Sequence, residues 1–268
     1  MQIKMTEKNS NLKNLAKDYL SGKYQATVMT FLFYVMLVLL FARFSNSLTE
    51  QFCITLMQLF SLPESSVFVL VFTYLIPFIV SVLENMIQIG ICLYFLNIAC
   101  HHNFNTFDLL YGYSHQFGKN FCLSAIITFF SFISMLPLDS YLNLRLSNSL
   151  DTDTCLMLAG LQIVLGLLYL FVYLSLSQIF FVTLDHPELS VKEILRQSMK
   201  LMSGQKLRLF LLDLSFLPLF LLILPTLGTS LFWIMPYLNM THSLFFLDLM
   251  HADLPNRAMS ETPNPYQN

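Results

Sequence analysis

From Val67 to Cys100 the chain runs 34 residues with one charged side chain, Glu84. As a helix this run is about 51 Å long, against about 30 Å for the hydrocarbon core of a bilayer. A water-exposed helix needs a polar face, and this one has none of useful width. Lipid is the solvent that accepts it, with the backbone hydrogen bonds closed inside the helix. Composition agrees. Of the 268 residues, 56% are hydrophobic and 11% charged, where soluble domains carry about 25% charged residues. Mean hydropathy is +0.63. A soluble enzyme and a disordered chain are excluded. A net charge of −2 gives no footprint for nucleic acid.

Further apolar runs follow the same logic. Spans are expected near residues 26–42, 67–100, 120–138, 155–182, 207–224 and 227–249. The last is interrupted by Pro236, Asn239, Thr241 and His242. The first follows a lysine-bearing segment, lacks a small-residue cleavage site and reads as a retained span rather than a signal peptide. No long polar linker divides the chain, so residues 1–250 read as a single membrane domain. Residues 251–268, with Pro255, Pro263 and Pro265, read as a disordered polar tail.

Basic residues set the orientation. Lys4, Lys8, Lys13, Lys17 and Lys23 precede the first span, and Lys119 precedes the third. Lys192, Arg196, Lys200, Lys206 and Arg208 precede the fifth. With the N-terminus cytoplasmic, eleven of the fourteen Lys and Arg lie inside before the tail is counted. Arg43 and Arg145 fall in outer loops with Glu50, Glu64, Asp139, Asp151 and Asp153. Six spans return the C-terminus to the cytoplasm of a plasma-membrane protein.

A repeat lies on the inner side. Ser21-Gly22-Lys23, Gly118-Lys119 and Ser203-Gly204-Gln205-Lys206 each stand before an outward span and after an amphipathic stretch. In the first stretch Leu12, Leu15, Ala16, Tyr19 and Leu20 share a face. In the second, Phe107, Leu110 and Tyr111 line up. In the third, Val191, Ile194, Leu195, Leu201 and Met202 are apolar, Lys192, Arg196 and Lys200 recur every four residues, and Ser190 and Glu193 have capping-box spacing. Such helices lie in the membrane plane, end at glycine and hand over to a snorkelling cation. The fold class is therefore all-α: a polytopic helical membrane protein, six spans as three hairpins, each preceded by an interfacial amphipathic helix.

These residues also carry a resemblance. The stretch 16–22 and the segment 185–237 hold its elements: Pro187, Ser190, Ile194, Ser198, Met202-Ser203-Gly204-Gln205-Lys206, Leu209-Phe210, Leu214-Ser215-Phe216, Gly228 and Pro236-Tyr237, with Thr241 after them. The chain resembles the bacterial integral-membrane family catalogued as domain of unknown function 975, found mainly in Firmicutes. It departs from the family at Leu217-Pro218, where tryptophan is common. The resemblance implies a multispan bacterial membrane protein and supplies no activity, substrate or catalytic residue.

Glu84 is the sharpest candidate for an intramembrane polar site. Ser81, Glu84, Gln88 and Cys92 form one stripe at helical spacing, with Asn85 beside it. A carboxylate inside hydrocarbon must face protein or water. Glu84 reads either as a proton or cation site or as a residue at the inner interface. Asp213 is expected to pair with Lys206, Arg208 or a neighbouring helix. His242 and Asn239 share a face. His101, His102 and His115 lack ligand spacing, so no metal is expected, and no cofactor motif occurs. Cys53 and Cys155 fall on one expected side, but all five cysteines read as small apolar fillers. Lys192, Arg196, Lys200 and Lys206 read as a contact for anionic headgroups.

No catalytic residues emerge. The residues fit a non-enzymatic membrane protein that organises lipids or an unidentified membrane protein partner. A small transporter using Glu84 is the alternative. An intramembrane enzyme on lipid substrates would need Glu84, Asp213 and His242 to converge.

Overall fold

The computed structural model describes residues 8–61, 63, 66–146 and 151–257. The described residues form helices and turns without a strand. In chain order the helices are α1 (Asn9–Leu20), α2 (Tyr24–Phe60), α3 (Val67–Ala99), a 3-10 turn (Thr106–Leu110) and α4 (Tyr111–Ser114). Then come α5 (Phe117–Leu146), α6 (Thr152–Leu176), α7 (Ile179–Asp185), α8 (Val191–Leu201) and α9 (Lys206–Leu214). The last are α10 (Leu217–Phe220), a 3-10 turn (Leu221–Ile223) and α11 (Leu231–Arg257). Four segments are long and apolar enough to cross a membrane: Tyr24–Phe60, Val67–Ala99, Phe117–Leu142 and Thr152–Asp185.

The first four expected spans are thus present, and α2 is much longer than its apolar run. It carries Arg43 in its interior, so Arg43 is not in an outer loop. Arg145 likewise lies in the last turn of α5. The expected fifth span is not one helix. It breaks after Leu214, because Pro218 cannot continue the hydrogen-bond ladder. Helix α11 is continuous but rich in polar residues. It reaches Arg257, and residues 258–268 of the expected tail lie outside the described residues.

The chain divides into two compact units. One holds Leu32–Leu93 and Asn105–Lys206. Its long helices are antiparallel neighbours. Cys53 Sγ lies 3.5 Å from Thr73 Oγ1, and Phe52 meets Phe72 edge-on. Asn85 Nδ2 donates to Thr128 Oγ1 at 2.8 Å, and Tyr74 and Phe78 both pack on Phe132. Gln162 Nε2 donates to Ser134 O at 3.0 Å. On α3 the turn of 106–114 lies directly against backbone. A Cβ on Gly90 would fall on the backbone of Leu109, and one on Gly112 would fall on the Met86 carbonyl. Leu109 is buried against α3, while Phe107 and Leu110 are exposed. The 3-10 winding keeps residues 107 and 110 on one side, away from α3.

The other unit holds Met1–Phe31, Tyr94–Phe104 and Leu207–Asn268. Helix α1 buries Leu12, Ala16 and Leu20 and packs along α11. Its apolar face is therefore seated on protein and not free to lie on lipid, and Leu15 is left exposed. Of the three repeated glycines, Gly22 and Gly204 take the expected left-handed conformation, at φ +76° and +77°. Gly118 does not. It lies inside α5, and Gln116 makes the left-handed turn at φ 46°.

Candidate functional site

Helix α8 is built as a two-faced rod. Ser190 caps it, its N and Oγ both donating to Glu193 Oε2 at 2.9 and 2.7 Å. These hydrogen bonds, with help from Arg196, hold the Glu193 carboxyl below its ordinary range. Ile194, Ser198 and Leu201 are buried against α5, α6 and α7, and Ser198 Oγ donates to Ser175 O at 3.2 Å. Lys192, Arg196 and Lys200 all stand exposed on the other side. Lys206 is set apart from them, its ammonium 3.9 Å from the centre of the Phe171 ring.

Glu84 is half-buried on α3, with Gln88 one turn on and Asn85 engaged by Thr128. Tyr113 donates its hydroxyl to the Leu83 carbonyl at 2.5 Å. Burial, with the nearby Glu84 charge adding to it, pushes the Tyr113 phenol up to about 12.

The other two polar candidates belong to the unit of α1, α9 and α11. His242 Nε2 lies 2.6 Å from Asp213 Oδ1. Arg208 Nη2 lies 2.7 Å from Asp248 Oδ2, with its guanidinium over the Phe245 ring. Asp213 therefore takes neither Lys206 nor Arg208. The sequence singled out both ends of the 213–242 pair without joining them. Asn239 donates to Met235 O and Thr241 to Tyr237 O, each within its own helix. Three lysines of the N-terminal segment rest on rings: Lys13 on Phe216, Lys17 on Tyr237 and Lys23 on Phe104. Lys13 Nζ also donates to Ser215 O at the end of α9. Burial, then Lys17, holds Lys13 below the ordinary lysine range.

His101 packs on Tyr19 and His115 stacks on Tyr111. No group of three metal-ligating side chains occurs among the described residues. No disulfide joins any of the five cysteines.

Four helices long and apolar enough to cross a membrane define a multi-pass helical membrane protein. The chain belongs to the family described as "Protein of unknown function (DUF975)", whose model matches residues 1–253. No curated protein and no solved structure matches it.

Proposed function

We propose that this chain is a non-enzymatic protein of a bacterial plasma membrane that organises anionic lipids, or partners recruited with them, at the cytoplasmic face. The exposed row of Lys192, Arg196 and Lys200 carries this reading. The row is held rigid because the opposite face of α8 is buried in protein. Each cation near an anionic surface contributes about 1 kcal/mol. The concentration of basic residues on one side supports cytoplasmic N- and C-termini.

The test is the affinity of the purified full chain for a fluorescent anionic phospholipid, with a zwitterionic lipid as reference. Replacing Lys192, Arg196 and Lys200 together by Gln should weaken anionic binding by on the order of a hundredfold at low salt. Binding that stays unchanged discards the reading. A carrier built on Glu84 is the second reading, favoured by the half-buried carboxylate beside Tyr113. It requires Glu84→Gln to abolish solute uptake while the protein stays folded.

A further inference from the structure

The segment that breaks the expected fifth span exposes large apolar side chains and bonds its N–H groups internally. Leu217, Leu221, Leu222 and Leu224 are exposed, Trp233 is 56% exposed and Leu227 is 94% exposed. Leu227 stands there at φ 49°, followed by Gly228 at φ +86°. A bulky residue in the left-handed region costs about 1–2 kcal/mol, and it gains no packing at this position.

Yet every backbone N–H from Thr226 to Ile234 donates within the segment. Gly228 N reaches Ile223 O at 2.9 Å, Thr229 N reaches Thr226 O at 3.1 Å, and Ser230 N takes the Thr226 side chain at 3.3 Å. The hydroxyls close on the segment as well. Thr226 Oγ1 donates to Leu222 O at 2.6 Å, and Thr229 Oγ1 donates to Thr226 O at 2.9 Å. A turn in water has no need of such closure. Backbone at membrane depth has to find its hydrogen-bond partners within the protein, and these N–H groups do.

Two internal rulers give the depth. Phe232 meets Phe31 edge-on, with ring centres 6.3 Å apart. Phe31 is about 10 Å along α2 from its start at Tyr24, and half a hydrocarbon core is about 15 Å. Below this level the segment is flanked by α1, whose Asn14, Lys17 and Asp18 are exposed and polar. Lys17 reaches up only as far as the Tyr237 ring, at 5.7 Å. The polar level therefore ends near Tyr237, and the turn above it carries no charged side chain.

We infer that residues 217–233 form a re-entrant segment immersed in the acyl chains of one leaflet. It enters and leaves on the side where α1 lies. The partner is lipid hydrocarbon, and the exposed leucines and Trp233 are the contact surface. The inference is independent of the headgroup contact of α8.

Trp233 is the single tryptophan of the chain, so the unmodified protein carries its own depth probe. The full chain is reconstituted in phosphatidylcholine vesicles with bromine placed near the glycerol, at mid-chain or near the chain end. Aqueous iodide is added in a separate series. Quenching that is strongest from mid-chain or chain-end bromine, with little effect of iodide, is the expected result. A segment that crossed the membrane would carry Trp233 to the far interface. Strongest quenching from bromine near the glycerol, or from iodide, overturns the inference.

Discussion

Asp213 and His242 meet at 2.6 Å although 29 residues separate them, and they tie α9 to α11. With Arg208 and Asp248 they make two rungs, 208–248 and 213–242, whose order fixes α9 and α11 as antiparallel. Both members of the 213–242 rung are less than a third exposed. Removing one leaves the other in a poor solvent. Asp213→Leu or His242→Leu alone should cost about 1–3 kcal/mol. The double replacement should cost less than the sum of the two singles, since no partner is stranded. Thermal unfolding of the four proteins in one detergent measures this. Strict additivity would show the pair to be uncoupled.

Glycines 90 and 160 make a matched test of packing. Gly90→Ala drives a methyl into the backbone of Leu109 and should cost about 1–3 kcal/mol. Gly160 has nothing within 4 Å of the same position, so Gly160→Ala should gain up to about 1 kcal/mol. Unfolding midpoints that move in the same direction would refute the close approach of the 106–114 turn to α3.

The capping of α8 sets a pH dependence. Hydrogen bonds to Ser190, then Arg196, depress the Glu193 carboxyl when folded. Its stabilisation is present above the ordinary glutamate value of about 4.3 and is lost as pH falls through the lower folded value. Amide exchange at Ser190, corrected for intrinsic rate, should accelerate across that window. In Glu193→Gln the same amide should show no such step.

Glu84→Gln should let the Tyr113 phenol ionise at lower pH. It will stay above the ordinary value of about 10, because burial is the larger cause of its shift. Carbon-labelled tyrosine spectra, with Tyr113→Phe to assign the signal, read the change. An unmoved titration would mean that the carboxylate is not facing this ring.

Local periodicity made much of the fold legible. The runs that became α2, α3, α5 and α6 were visible because lipid-facing helices need no distant partner to show their character. The α8 cap was visible because Ser190 and Glu193 are three residues apart and close on each other. Pro218 marked the break in the expected fifth span. What escaped depended on contacts far along the chain. Asp213 was matched to Lys206, Arg208 or a neighbouring helix; the neighbouring helix holds, but its residue, His242, was not named with it. Residues 107 and 110 were rightly grouped, but nothing local said that Gly90 would lie against the backbone of Leu109. At the second glycine of the repeat, spacing alone pointed to Gly118, and the left-handed residue is Gln116 two positions earlier.

The seat of α1 has a consequence for how the chain is made. Lys13 touches Ser215, 202 residues later, and α11, which packs on the helix that buries Leu12, Ala16 and Leu20, is made later still. At about 5–20 residues per second, α1 waits roughly 10–40 seconds on the ribosome-bound chain before α11 exists. During that interval its apolar stripe has only membrane surface or chaperone to rest on. Synthesis of α11 is therefore also the event that seats α1, and a chain stalled before Leu231 would leave α1 without its seat.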